Sequence, residues 1–179
     1  DLLATPVPRY TSYPTAVEFG DDVGADDYAA ALDRIASATP VSLYVHIPFC
    51  SHRCDYCDFA TWVDRSHLID DYVDACVKDI HRQCREGLRD ATSIFFGGGT
   101  PSLLSGDQLA RILDAIPRTP SAEITVECNP DAADAQRLDG YAQAGVNRLS
   151  FGVQSLEPRV LAALGRTHNP ENVLHARSN

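Results

Sequence analysis

From residue 41 onward, short β-branched apolar segments alternate with amphipathic helical segments, four times over. VSLYVHI (41–47), TSIFFGG (92–98), AEITVEC (122–128) and NRLSFGVQS (147–155) read as strands. Residues 66–87 carry Leu68, Ile69, Tyr72, Val73, Cys76, Val77, Ile80 and Cys84 at steps of three and four. That spacing predicts an amphipathic helix with Gly87 as its stop. Residues 105–117 read as a second helix, with Ser105 and Gln108 as a capping box and Pro117 as its end. Residues 131–145 read as a third, closed by Gly145, and 157–165 as a fourth, with Pro158 near its first position. Such alternation implies a parallel sheet with right-handed crossovers. The expected fold class is α/β: a partial (β/α) barrel with a parallel sheet, truncated after about four βα units and open at the edge where later units would pair.

Residues 1–40 follow a different pattern. PRYTSYPTAVEF (8–19) reads as an extended arm and 26–37 as a short helix, so the expected organisation is an arm with a helix (1–40) followed by a core (41–179). The chain begins at Asp1 and has no methionine, which reads as a missing natural start. HARSN at its end falls inside what reads as a fifth unit, so the rest of the barrel and any further domain are expected beyond Asn179. No apolar run approaches the roughly 20 residues that span a bilayer, and no segment reads as a signal peptide. A net charge of −10 without a Lys/Arg cluster argues against nucleic acid as the main partner.

In parallel α/β folds the chemistry gathers at the carboxyl ends of the strands. Here the unusual residues follow the first three strands: cysteines after the first, GGGTP after the second, CNP after the third. Cys50, Cys54 and Cys57 form C-x3-C-x2-C. Three crowded cysteines in a long chain without a secretory signal read as metal or cluster chemistry in a reducing compartment, the cytoplasm, rather than as a disulfide framework. Three thiolates would leave one iron of a 4Fe–4S cluster open to another ligand. A zinc site using His46 or His52 as fourth ligand is the rival reading. The bland reading of Cys76, Cys84 and Cys128 is as small buried hydrophobes. Gly97, Gly98 and Gly99 permit a tight turn near a ligand, but no Gly-Lys-Ser/Thr follows to make a P-loop. Glu127 and Gln154 end the third and fourth strands at the same rim, and Arg166 follows the fourth helix.

The cysteine triad after the first strand, with Tyr56 just before the third cysteine and GGGTP at the next rim position, resembles the radical S-adenosylmethionine (SAM) superfamily. The resemblance implies a full or partial radical-SAM-type barrel. It also implies a 4Fe–4S cluster on Cys50, Cys54 and Cys57, with SAM chelating the fourth iron and cleaved to a 5′-deoxyadenosyl radical. SLYVHIPFC, FGGGTPSLL, ITVECNP and NRLSFGVQS further resemble the oxygen-independent coproporphyrinogen III oxidases and their sister group, the HemW heme chaperones. By that resemblance Tyr44, Gly98 and Glu127 contact the cluster-bound SAM. Tyr56, Gly99, Thr100, Gln154 and Arg166 contact a second SAM. No catalytic residue is assigned.

Within that group two features point apart. PRYTSYPTA resembles the arm of the oxidase, which decarboxylates coproporphyrinogen III to protoporphyrinogen IX. The oxidase also has a fourth cysteine two positions after the third, where this chain has Phe59. YCDF and LGRTHNP resemble HemW. The expected function is a HemW-like heme chaperone that binds SAM and possesses a cluster, with the porphyrinogen oxidase as the alternative. The implied partners are heme or a porphyrinogen, heme-accepting apo-proteins, and a reductant such as flavodoxin or ferredoxin.

Overall fold

The computed structural model describes residues 39–168 together with Gly24, Asp26, Asp27, Ala30 and Glu171. The chain divides into two units, Asp1–Thr39 and Pro40–Asn179. In the first, the expected arm at 8–19 lies outside the described residues, and the expected helix at 26–37 is described only at Asp26, Asp27 and Ala30, which are helical.

In the second unit, β1 (Val41–Ile47), β4 (Ala91–Gly98), β5 (Arg118–Cys128) and β6 (Arg148–Phe151) form one parallel sheet in the order β1-β4-β5-β6. Helices α1 (Ile69–Arg85), α2 (Gly106–Ala115), α3 (Ala135–Ala144) and α4 (Pro158–Ala163) follow the four strands in turn. Neighbours in sequence are neighbours in the sheet, so its order never reverses. That is the arrangement of a barrel wall; a doubly wound sheet reverses at a switch point.

Ile94, Phe96, Ile124 and Val126 point to one face and are buried against Val73 of α1 and Leu109, Ile112 and Leu113 of α2. The alternate positions Tyr44, Phe95 and Thr125 stand in register across the strands and face the other way, as the two-residue period of a strand requires. Truncating Phe96 to alanine would cost about 3–5 kcal/mol, because its neighbours in this core cannot close the void. Among the described residues no helix is long and apolar enough to cross a membrane.

Element boundaries differ from the sequence reading for local reasons. The first helix opens as a 3-10 turn, Ser66–Leu68, before α1 begins. The capping box on α2 forms as expected: Gln108 N–H donates to Ser105 Oγ at 3.2 Å, and Ser105 N–H donates to Gln108 Oε1 at 2.8 Å. The helix stops at Ala115, not at Pro117, and Ile116 is already extended (φ −89°, ψ 118°) because a residue before proline is pushed out of helical geometry. β5 starts four residues early at Arg118, and it bulges between Arg118 and Glu123, opposite Ala91 and Ser93 of β4. The third helix is split into a 3-10 turn, Pro130–Ala132, and α3. The fourth strand ends at Phe151 rather than at residue 155.

Two further strands were not legible. β2 (Phe49–Cys50) pairs in parallel with β3 (Trp62–Val63), Phe49 opposite Trp62 and Cys50 opposite Val63. Trp62 N–H also donates to Pro48 O at 2.7 Å. This two-residue ladder staples the base of the cysteine loop.

A candidate cluster and nucleoside site at the sheet rim

The staple closes residues 51–61 into a loop, with Cys50 at its base and Cys54 and Cys57 within it. Cys57 N–H donates to Cys54 O at 3.0 Å, a turn that spans the last two cysteines. All three thiols are free and half-buried, and they line one cavity of about 330 Å³ at the carboxyl rim of the sheet. Tyr56, Gly98, Gly99, Thr100, Glu127, Gln154 and Arg166 line it too. Of the residues that the resemblance assigns to the cluster or to SAM, only Tyr44 stands outside this wall. Its ring stacks on Phe95 with centroids 6.2 Å apart, and its hydroxyl lies 3.1 Å from His46 Nδ1.

The glycine loop sits where side chains do not fit. Gly98 has φ +110°, and a Cβ there would stand 2.5 Å from the His46 ring. Gly99 N–H donates to Ile47 O at 2.8 Å, and a Cβ on Gly99 would lie 2.7 Å from Phe49 O. Thr100 N–H donates to Phe49 O at 2.8 Å. The loop is thus laced to the stretch that leads into Cys50. The His46 ring reaches the far end of the cysteine loop, with Nε2 2.8 Å from Ala60 O.

Charge is managed at three points. Burial pushes the Cys50 thiol up, the Thr100 hydroxyl opposes that by donating to Cys50 Sγ at 3.6 Å, and negative charge on Cys57 or Cys54 pushes it further up. Burial likewise pushes up the Tyr56 phenol, against the Arg166 guanidinium. Burial pushes the Glu127 carboxyl above its usual range, partly offset by a hydrogen bond from the Gly98 backbone. Arg166 supplies positive charge: its Nη1 donates to Cys54 Sγ at 3.6 Å, and its Nη2 to Gly152 O at 2.8 Å and Asn129 Oδ1 at 3.2 Å.

Gln154 corrects the sequence reading. It does not end a strand; it sits three residues past β6 with φ +60°, at the centre of a tight turn closed by Ser155 N–H donating to Val153 O at 2.7 Å. Left-handed backbone at a non-glycine residue carries strain, and such strain concentrates at ligand sites. Buried His168 holds this turn: Nε2 donates to Val153 O at 2.9 Å, which leaves Nδ1 to accept from Arg166 Nε at 3.4 Å. His168 and Asn129 are site residues that spacing did not single out, whereas Phe59, noted in the sequence two positions after Cys57, lines the cavity. CNP after the third strand was the one signal for Asn129. Cys128, read as a core residue, is buried but also lines the cavity, its thiol pushed up to about 12 by burial.

Three free thiols around one cavity are the donor type that an iron–sulfur cluster takes. Among the described residues no three His, Cys, Asp or Glu side chains converge closely enough for a single metal. Tetrahedral zinc needs all its donors about 2.0–2.3 Å from one point. Thiols spread around a cavity wall match a polynuclear core, whose ligands bind at separate corners.

A parallel (β/α) wall with three thiols, a glycine loop and a carboxylate at one rim defines an α/β protein with a thiol-rich candidate site at the carboxyl ends of its strands. The chain belongs to the radical SAM superfamily, whose defining pattern matches residues 44–176. Its relatives include heme chaperones HemW and an oxygen-independent coproporphyrinogen III oxidase. It is 43% identical over 138 residues to the heme chaperone HemW of Bacillus subtilis, covering 74% of this chain and 36% of that one. It is 37% identical over 180 residues to the oxygen-independent coproporphyrinogen III oxidase of Escherichia coli, covering 95% of this chain and 39% of that one. The solved structure of the Escherichia coli coproporphyrinogen III oxidase HemN, described as a radical SAM enzyme, superposes with a TM-score of 0.84 at 34% identity, covering 95% of this chain and 41% of that one. The chain therefore spans about two-fifths of the length of these relatives.

Proposed function

We propose that this chain is the amino-terminal part of a radical SAM core, residues 41–179 preceded by an arm at 1–40, in a HemW-like heme chaperone of a reducing cytoplasm. Cys50, Cys54 and Cys57 would hold a 4Fe–4S cluster, which supplies low-potential electron transfer to SAM. Tyr44, Gly98 and Glu127 would contact the SAM bound to that cluster. Tyr56, Gly99, Thr100, Gln154 and Arg166 line the remainder of the cavity and are suited to a second ligand of the same kind. Arg166 and Thr100 stabilise negative charge on the sulfurs through charge-assisted and hydroxyl hydrogen bonds.

The observation that carries the chaperone reading is Phe59. It occupies the place of the oxidase's fourth cysteine, lines the cavity, and is 58% exposed. Trp62 and Val63, a few residues on, are also exposed, so a strip of apolar surface begins at the cavity wall. A flat apolar macrocycle needs such a surface more than it needs another thiol. Anaerobic titration of the full-length protein with hemin tests this: a saturable Soret shift is expected, and its absence sinks the reading.

One observation favours the porphyrinogen oxidase instead. The match to the Escherichia coli oxidase runs over 95% of the chain, whereas those to the HemW proteins of Bacillus subtilis and Escherichia coli cover 74% and 76%. Incubating full-length protein with SAM, reductant and coproporphyrinogen III decides it. Formation of 5′-deoxyadenosine with the decarboxylated product would select the oxidase.

A further inference from the structure

One polar atom beside the cysteine loop has no partner. Thr61 Oγ1 is shut off from solvent without a hydrogen bond of normal geometry, and it is the only such side-chain oxygen or nitrogen among the described residues. The backbone on either side is held, by His46 Nε2 at Ala60 O (2.8 Å) and by Trp62 N–H at Pro48 O (2.7 Å). Thr61 immediately precedes β3, whose Val63 stands opposite Cys50 in the staple, which sets Thr61 next to that cysteine. Thr100 makes its bond to the Cys50 sulfur at 3.6 Å, while Thr61 does not complete one. A hydroxyl buried without a partner carries a desolvation penalty, so its presence calls for a stronger acceptor than a neutral Cys50 thiol.

We propose that Thr61 is a positioning residue for the cluster, donating its hydroxyl hydrogen to the Cys50 thiolate once that sulfur is ligated and raising the cluster's reduction potential. The sign follows from charge. Reduction adds an electron, the reduced core draws more from a donor hydrogen bond than the oxidised one, and hydrogen bonds to the sulfurs are one of the levers on cluster potential. The site excludes solvent at this oxygen, so water cannot substitute for the hydroxyl when it is removed. This inference rests on the cluster reading of Cys50, Cys54 and Cys57.

The test uses the full-length protein with Thr61→Val, which keeps the shape and removes the hydroxyl, and Thr61→Ser, which keeps the hydroxyl. Each is reconstituted anaerobically, its iron counted, and its midpoint potential read by dye-mediated titration followed by electron paramagnetic resonance. The expected result is a more negative midpoint for Thr61→Val and a wild-type midpoint for Thr61→Ser. Equal midpoints for wild type and Thr61→Val overturn the proposal, as does Thr61→Ser moving as far as Thr61→Val. If Thr61→Val retains no cluster, the melting temperature of the apo-protein decides. An unchanged or raised value supports the proposal, because the lost hydroxyl had no protein partner. A lowered value shows that it serves the protein frame and overturns the proposal. If wild type itself assembles no cluster, the cofactor reading fails instead.

Discussion

Arg166 donates to the Cys54 sulfur at 3.6 Å across 112 residues of chain. The same guanidinium holds Gly152 O and Asn129 Oδ1, so one planar fork ties the cysteine loop to the ends of β5 and β6. With His168 Nδ1, which accepts from Nε at 3.4 Å, that makes four acceptors in fixed directions, which need arginine; a lysine ammonium is a point charge on a flexible stem. Arg166→Lys in the reconstituted full-length protein should weaken SAM binding about tenfold or more, tenfold being ~1.4 kcal/mol. Anaerobic calorimetric titration measures it, and wild-type affinity would show that the fork does not organise the site.

The six cysteines should separate into two sets. Serine at position 50, 54 or 57 should abolish assembly of about four irons per chain, since each thiolate holds its own corner of the core. Cys76→Ser, Cys84→Ser and Cys128→Ser should keep the iron. Cys128→Ser should still lower the melting temperature, because its thiol is buried and the new hydroxyl would need a better acceptor than the Val126 carbonyl 3.7 Å from the sulfur. Iron and sulfide analysis reads the first outcome, thermal unfolding the second.

Gly98→Ala meets two separate penalties, the +110° φ and the His46 ring at 2.5 Å. Backbone strain of this kind costs about 1–3 kcal/mol. Combining it with His46→Ala removes the clash but not the strain. The double variant should therefore recover only part of the loss relative to His46→Ala alone in urea unfolding. Full recovery would mean that the backbone conformation carries no cost.

Glu127 gives the apo-protein a pH signature. Its folded-state pKa is raised, chiefly by burial, above the unfolded value. Its favourable contribution is complete below the unfolded carboxyl range, about pH 4, and is lost as pH rises through the folded pKa. Glu127→Gln should then stabilise the apo-protein near pH 7 and give little difference below about pH 4. It should also weaken SAM binding if the carboxylate receives the ligand. Urea midpoints across pH check the first part; a gain that is constant with pH would count against it.

The alternation of strands and helices, the capping box on α2 and the C-x3-C-x2-C spacing are properties of neighbouring residues, and the sequence by itself determined them. Side-chain periodicity reports which face an element buries, so β1, β4 and most of β5 could be read directly. The same is true of the superfamily, whose thiols, glycines and strand ends lie in short contiguous motifs. Only the tertiary structure decided how these pieces meet. The β2/β3 staple consists of two-residue strands, too short to show any period. The turn at Gln154 depends on His168, which reaches Val153 O across 15 residues, and the isolation of the Thr61 hydroxyl is a property of the folded loop. Such contacts are fixed by which strand lies beside which, and strand order is set by packing of the whole sheet rather than by local preference.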